Sequence, residues 1–264
     1  MTTLSAVRRA LGVASLALAS TTVGAQNVGT YTAGGGTGSW GAAITANSLT
    51  QVSISDFSTF NFGSVQILAL NNADNDAIEN AVTGRFADLV TWVTNGGKLI
   101  IHDRWATSTA WIPGAGSMML TRDLGSDLQV VTGGNAVVNG PFGTITNTSL
   151  DNGNLSNHGY AQMLPPGATT FLSVQGDPNK AVSFVYGLGS GFVFYSTIPI
   201  DFYQSGVGNN PPGDDMRNVY APNVLGYMNG LNTNVVPEPS TFALGAAGLA
   251  GLAAVVRRRR RATA

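Results

Sequence analysis

The clearest alternation of apolar and polar positions lies between residues 64 and 105. Val65 to Leu70 is a continuous apolar run of strand length, which predicts a buried strand. Apolar residues then recur at spacings of three and four, which predicts one amphipathic helix from Asp76 to Thr94; they are Ile78, Val82, Phe86, Leu89, Val90 and Val93. Gly96 and Gly97 end this helix, and Lys98 to His102 reads as a second strand. Together these elements predict a right-handed βαβ unit.

Weaker patterns flank this unit. Further strands are predicted at 27–31, 51–55, 168–174, 182–186 and 191–198, with a short helix that ends at Ala46. Residues 104–154 and 199–215 show no regular period, and residues 220–231 predict a closing helix that Pro222 interrupts. We therefore expect one three-layer α/β domain over residues 26–231 with a mostly parallel sheet.

The first 25 residues have the pattern of a secretory signal peptide. Arg8 and Arg9 form a basic start, an apolar run follows from Ala10 to Ala19, and small residues precede Gln26. We expect residues 1–25 to direct export by the general secretory route.

The last residues form three parts. A linker, residues 232–240, contains Pro237, Glu238 and Pro239, and its two prolines keep the backbone extended and accessible. Residues 241–256 are uncharged and predict a transmembrane helix of roughly 24 Å, shorter than the ~30 Å hydrocarbon core of a bilayer. The tail, residues 257–264, begins with five arginines that are expected to stay cytoplasmic, namely Arg257, Arg258, Arg259, Arg260 and Arg261.

This order of Pro-Glu-Pro, apolar Gly/Ala/Leu helix and arginine cluster resembles the PEP-CTERM sorting signal of Gram-negative bacteria. The resemblance implies an exosortase, an integral-membrane cysteine protease or transpeptidase, as a partner of the chain beside the secretion machinery. It further implies an inner-membrane-anchored precursor that reaches the cell surface or the extracellular space. Carriers of this signal are often linked to exopolysaccharide and biofilm production.

Composition narrows the chemistry of the exported part. Of 13 Lys and Arg, 7 lie in the two terminal segments, and of 14 Asp and Glu only Glu238 does, so residues 26–236 carry 6 − 13 = −7. Such a domain offers no basic face to nucleic acid. The absence of cysteine excludes disulfides, thiol nucleophiles and thiolate metal sites.

No cofactor is expected from the sequence, although calcium remains open. Oxygen-rich stretches that could hold calcium occur at Asp74-Asn75-Asp76, Asp151-Asn152 and Asp214-Asp215. None of them has the spacing of an EF-hand, so each is more simply explained as a solvated loop.

A second resemblance comes from the central motifs. The helix ends in L-x-x-W-V-x-x-G-G and is followed by K-L-I-I-H-D, and Tyr186 to Ser196 contains a Gly-rich turn and a late strand. The first motif resembles class I glutamine amidotransferase-like domains, and the second is similar to the Gly-rich turn and late strand of their non-catalytic relatives. The resemblance implies a flavodoxin-like fold with a pocket after the strand Lys98 to His102. Active members place a nucleophile on a sharp turn there. This chain has no cysteine and carries His102-Asp103-Arg104-Trp105 instead, so the resemblance implies the scaffold and the pocket but no amidotransferase activity.

The candidate catalytic residues are His102, Asp103 and His158. Because His102 and Asp103 are neighbours, a continuing strand would direct their side chains to opposite faces of the sheet. Neither a G-x-S-x-G motif nor a zinc-type histidine spacing occurs. Candidate ligand-binding residues are Arg104, Trp105 and Trp111. The indoles of the two tryptophans would serve either as stacking platforms for a sugar ring or as part of the core.

Two functions follow from these patterns. The first is a non-enzymatic surface or extracellular-matrix protein whose pocket is vestigial or binds a carbohydrate-like ligand. The alternative is an extracellular hydrolase that uses the neighbourhood of His102 and Asp103. Convergence of both histidines and Asp103 near a Ser or Thr hydroxyl would favour the hydrolase, and their separation would count against it.

Overall fold

The computed structural model describes residues 26–33, 40–73, 77–131, 135–153, 155–208 and 212–232. The predicted signal peptide, the segment Asp74-Asn75-Asp76 and the tail from residue 233 onward lie outside the described residues. Within the described ranges, no helix has the length and apolar character needed to cross a membrane. The predicted transmembrane helix at 241–256 is not part of those ranges.

The elements of the first half are, in chain order, β1 (Asn27–Ala33), α1 (Gly41–Ala46), β2 (Thr50–Ser53), a 3-10 turn (Phe62–Ser64), β3 (Ile67–Asn72), α2 (Ala77–Thr83), α3 (Phe86–Thr94) and β4 (Lys98–Asp103). The predicted strand-helix-strand unit is thus present as β3, α2 with α3, and β4.

The second half begins with β5 (Met119–Thr121), β6 (Leu128–Val130), β7 (Asn139–Gly140), β8 (Gly143–Thr144), α4 (Asn147–Leu150) and β9 (Tyr160–Gln162). It continues with β10 (Thr169–Val174), β11 (Asp177–Leu188), β12 (Gly191–Ser196), α5 (Ile200–Gln204), α6 (Pro212–Asp215), a π-helical turn (Met216–Tyr220) and α7 (Ala221–Gly230).

The main sheet has the path β2-β1-β3-β4-β12-β11-β10-β6. The pairs along β2, β1, β3, β4 and β12 are all parallel, whereas β11, β10 and β6 continue the sheet with antiparallel pairs. Strand β9 pairs with both β11 and β5 beside this path. The expected α/β architecture with a large, mostly parallel sheet is therefore present.

The register brings polar side chains to one end of the central strands. Asn71 and Asn72 of β3 lie beside His102 and Asp103 of β4, and His102 in turn lies beside Ser196 of β12. We call this end of the sheet, defined by these five residues, the carboxyl edge. All residues of β3 and β4 are buried, as expected for central parallel strands that are covered on both faces.

The two faces of the sheet carry separate hydrophobic clusters. One face packs against α1 and α7 through residues such as Ile44, Val224 and Leu225. The other packs against α2 and α3 through residues such as Val82 and Leu89. These contacts give the three layers that the sequence predicts.

The single helix predicted from Asp76 to Thr94 is wrong, because two helices, α2 and α3, occupy this span. They are separated at Arg85, whose backbone leaves the helical conformation. The Arg85 guanidinium donates hydrogen bonds to the carbonyls of Phe57, Ser58 and Phe60. It also pairs with Asp88 at 2.7 Å. These bonds to a distant loop hold the break between the two helices.

The region 199–215 is also more regular than its sequence predicts, since α5 and α6 lie in it. From Pro212 to Gly230 the chain stays helical through the π-helical turn and α7. The predicted interruption of the closing helix at Pro222 is wrong, because the backbone stays helical on both sides of it, from the π-helical turn into α7. The π-helical turn directly before it places Tyr220 against the sheet.

Candidate functional site

Asp103 ends β4 and binds the ends of three neighbouring segments. Its Oδ1 accepts hydrogen bonds from Asn72 Nδ2 and from the backbone N–H of Trp105, both at 2.8 Å. Its Oδ2 accepts from the Tyr195 hydroxyl at 2.8 Å. The residue is only 1% exposed. The carboxyl group therefore links β3, the turn after β4 and β12 at the carboxyl edge, and both of its oxygens already accept hydrogen bonds.

Two opposing effects act on this carboxyl group. Burial raises the pKa of Asp103, while the hydrogen bonds from Ala106, Tyr195, Trp105 and Asn72 lower it. Burial is the larger effect. The turn that follows β4 is strained, because Ala106 adopts a left-handed φ of 41° that residues with a side chain rarely take.

His102 lies on the opposite face, since β4 runs through Asp103. Its ring packs among Trp40, Phe194 and Tyr220 at centroid distances of 5.2, 6.0 and 5.8 Å. Nε2 is 3.3 Å from the Tyr220 hydroxyl, and Nδ1 is buried without a partner among the described residues. Burial lowers the pKa of His102 to about 3, so the imidazole is neutral at physiological pH.

Three hydroxyls form a buried cluster that reaches this histidine through Tyr220. Ser183 Oγ lies 2.7 Å from Ser196 Oγ and 2.8 Å from the Tyr220 hydroxyl, which donates to Ser196 at 3.1 Å. All three residues have no exposed surface. Sequence reasoning missed this cluster, although serines inside the apolar strands β11 and β12 were a visible signal. A substrate could reach none of these hydroxyls without opening the core.

His158 lies in the loop between α4 and β9. Its Nδ1 is 3.1 Å from the Arg104 carbonyl oxygen, and its backbone N–H donates to Thr197 at 2.9 Å. Burial, followed by the charges of Arg104 and Arg122, lowers the pKa of His158 to about 4. The neutral ring must carry its proton on Nδ1, because only a donor can bond to a carbonyl.

The candidate catalytic residues do not converge. His102 contacts the α7 side of the sheet, and Asp103 contacts Tyr195 on the opposite side. His158 bonds to loop backbone. In the described ranges, no hydrogen bond joins any two of these three side chains. The arrangement that would favour a hydrolase is absent from this part of the molecule.

A cleft of about 440 Å³ opens beside His158. Its lining residues are Arg104, Ser126, Gly153, Leu155, His158, Pro199 and Phe202. We refer to it as the Arg104–His158 cleft. Sequence reasoning identified Arg104 and His158 but missed Phe202 and Leu155, because both lie in stretches without hydrophobic periodicity.

Arg104 is held at one side of this cleft. Its Nη1 donates to Asp201 Oδ2 at 3.3 Å and to the Ala73 carbonyl at 3.4 Å. Its guanidinium carbon lies 5.9 Å from the centre of the Phe202 ring. Burial raises the pKa of Asp201, whereas the nearby Arg104 charge lowers it.

The two tryptophans have different surroundings. Trp105 is half-buried, and the Arg122 guanidinium lies 3.5 Å over its ring, which occupies one ring face. Trp111 is 3% exposed and packs in the hydrophobic cluster on the α2 and α3 side. A sugar-stacking role for Trp111 would require its indole to leave the core.

Some residues of the oxygen-rich stretches that were candidates for calcium binding already form bonds with other residues. Asp214 pairs with Arg217 at 2.5 Å, and the Asn152 backbone N–H donates to Asp127 at 2.8 Å. No group of three or more His, Asp or Glu among the described residues could hold a metal ion. Asp74-Asn75-Asp76 lies outside those residues, so calcium binding stays a prediction.

Comparison with solved structures finds partly similar structures with low sequence identity. A cytoplasmic protein of Salmonella typhimurium is 10% identical, with a TM-score of 0.49 over 77% of this chain and 98% of its own. An exo-beta-1,4-mannosidase from Opitutaceae bacterium strain TAV5 is 11% identical, with a TM-score of 0.45 over 81% of this chain and 37% of its own. A beta-galactosidase from Rahnella sp. R3 is 10% identical, with a TM-score of 0.42 over 82% and 33%. The chain thus spans about a third of the length of each glycosidase.

Comparison of sequences is informative at the tail alone. No curated protein matches the chain. Residues 235–261 match the family model of the PEP-CTERM protein-sorting motif. The match includes the Pro-Glu-Pro segment and all five arginines of the tail. The chain therefore carries a PEP-CTERM sorting motif, which marks it as an exported protein that an exosortase processes from a membrane-anchored precursor.

Proposed function

We propose that this protein is a non-enzymatic component of the cell surface or extracellular matrix that binds carbohydrate. Residues 1–25 direct its export, residues 241–256 anchor the precursor transiently, and an exosortase acts at Pro237 to Pro239. The observation that carries the proposal is the separation of His102, Asp103 and His158, each engaged by a different part of the fold.

The chemistry of the three groups supports binding over catalysis. A general base must lie within hydrogen-bond reach of the proton that it removes and needs a pKa near the working pH. His102 is sealed and has a pKa of about 3. Asp103 already accepts from Asn72, Trp105 and Tyr195.

The scaffold that we propose is a flavodoxin-like domain related to the class I glutamine amidotransferases but without their nucleophile. Its support is the order of the five parallel strands, which reads 2-1-3-4-5 when they are numbered along the chain. The strained turn at Ala106, directly after β4, supports the same relation, since it occupies the place of the nucleophile turn. A pocket that lacks the nucleophile but lies at the same place in the fold can still bind a ligand.

The carbohydrate ligand is supported by the composition of the Arg104–His158 cleft. Sugar sites combine an apolar surface for the ring with a few polar groups for its hydroxyls. This cleft has Phe202, Leu155 and Pro199 beside Arg104 and His158. Such binding fits a protein of the exopolysaccharide matrix or of biofilm.

The ligand proposal is tested by incubating the purified protein with a glycan array and with soluble polysaccharide. Retention on saccharides without release of new reducing ends or of ammonia supports it. Turnover of the polysaccharide or of an amide would replace it with the hydrolase alternative.

The sorting proposal is tested by deleting Pro237, Glu238 and Pro239 in a host that contains an exosortase. The variant should accumulate in the inner membrane with its apolar segment intact, while the unaltered chain is processed and released. Fractionation followed by mass spectrometry of the C-terminus distinguishes the two forms. Normal processing of the deletion variant would contradict the role of this motif.

A further inference from the structure

The Arg104–His158 cleft offers a hydrogen-bond acceptor of defined position. Nδ1 of His158 donates to the Arg104 carbonyl, so Nε2 of the neutral ring holds a lone pair. Nε2 has no hydrogen bond among the described residues, and His158, which lines the cleft, is 7% exposed. A ligand group that donates a proton, such as a hydroxyl, matches this atom.

Arg104 supplies the complementary donors. Its Nη1 is used by Asp201 and by the Ala73 carbonyl, whereas Nε and Nη2 form no hydrogen bond within the described residues. Its side chain is 34% exposed and lines the cleft. Asp201 at 3.3 Å offsets its charge, which weakens its attraction for a free anion.

The apolar part of the cleft is held in an unusual conformation. Leu155 is 39% exposed, although it is a large apolar side chain. Its backbone has a left-handed φ of 59°, and Asn152 in the same loop has a φ of 61°. This conformation is strained for Leu155, whereas asparagine adopts it readily. Strained residues persist where the surrounding structure enforces them, and they cluster at ligand sites. Leu155 and Phe202 together form the apolar wall.

We propose that the Arg104–His158 cleft binds a neutral saccharide, with one sugar hydroxyl donating to His158 Nε2 and a second oxygen accepting from Arg104. The C–H face of the ring packs on Leu155 and Phe202. This inference rests on the proposed carbohydrate-binding function and specifies its site. An anionic sugar fits less well, because the Nε2 lone pair repels a carboxylate and residues 26–236 carry a net charge of −7.

The test compares two substitutions in the cleft with one control substitution outside it. His158→Asn keeps a side-chain N–H for the Arg104 carbonyl but removes the acceptor at Nε2. Leu155→Ala shortens the apolar wall, and Leu124→Ala serves as its control, because Leu124 is 49% exposed and does not line the cleft. The probes are neutral oligomers of glucose, galactose and mannose, and oligomers of uronic acids, measured by array and then by calorimetry on the purified protein.

We expect a neutral oligomer to bind, and His158→Asn to weaken it about tenfold, which is the loss of one hydrogen bond to a desolvated group. Leu155→Ala should weaken binding about threefold or more, and Leu124→Ala should leave it unchanged. Thermal unfolding of each variant confirms that the fold is kept. Binding of uronic acids alone, or of any glycan with equal affinity in all variants, overturns this inference while leaving the proposed function in place. Retention of no saccharide overturns both.

Discussion

Acidification is expected to destabilise the fold through His102, which is buried on the face of the sheet that α7 covers. Burial lowers its pKa to about 3, whereas a histidine in an unfolded chain has a pKa of about 6.5. Between these values the unfolded state binds a proton and the folded state does not. The contribution of His102 to stability is therefore complete above pH 6.5 and is lost as the pH falls toward 3.

The loss reaches about 1.4 kcal/mol for each pH unit within this window. From pH 7 to pH 4.5 it amounts to about 2.5 kcal/mol, a large share of the ~5–15 kcal/mol that stabilises a typical domain. His158, with its pKa lowered to about 4, adds a similar loss. The carboxyls act in the opposite direction, because burial raises the pKa of Asp103 and Asp201. Only a comparison of variants isolates the share of His102.

The assay is urea unfolding at pH 4.5, 5.5, 6.5 and 7.0 for the unaltered protein, His102→Leu and His102→Gln. Neither replacement titrates, and Tyr220 keeps its hydrogen bonds to Ser183 and Ser196 in both. From pH 7.0 to pH 4.5, each variant should lose about 2.5 kcal/mol less stability than the unaltered protein. His158→Asn serves as the control, since it should remove the contribution of His158 to the pH dependence of stability and keep the contribution of His102.

An unchanged pH dependence in both His102 variants would refute this reasoning. It would mean that the folded protein protonates His102 without cost, so that the sealed environment of its ring is not the one described above. A variant that fails to unfold cooperatively is replaced in the comparison by the other one.

Two further substitutions test the packing and the carboxyl edge. Gly191→Ala should destabilise the protein by about 3 kcal/mol, because the new Cβ would overlap the carbonyl oxygens of Val93 and Gly97. Gly187→Ala in the same hairpin is the control, since its Cβ meets open space, and it should change stability by less than about 0.5 kcal/mol. Equal urea midpoints for the two variants would contradict the close approach at Gly191. Asp103→Ala should cost about 3 kcal/mol or more, because it leaves buried donors unpaired, and Asp103→Asn should cost clearly less, since its oxygen still accepts; calorimetric melting of both variants checks this order.

Much of the scaffold was readable from local patterns. The continuous apolar runs of the central strands and the Gly96-Gly97 stop predicted the β3 to β4 unit, because burial on both faces demands such runs. The break between α2 and α3 was not readable. It depends on Arg85 reaching carbonyls near Phe57, and no helical period records a contact with so distant a segment.

The candidate site was predicted in part. The alternation of side chains along a strand correctly placed His102 and Asp103 on opposite faces, since that rule needs only the strand itself. What covers each face depends on the packing of helices and loops. Tyr220 meets His102 across 118 positions of sequence, and Phe202 reaches the cleft from a region without periodicity.

The sequence by itself determined the sorting motif of the tail and the exclusion of thiol chemistry, because a linear signal and a residue inventory do not depend on how the chain packs. Only the tertiary structure decided that His102 is sealed, that Asp103 serves as a fastening carboxyl and that His158 shares a cleft with Arg104. These roles arise from burial and from contacts between segments far apart in the chain. A side chain acquires its pKa and its partners only when those segments come together.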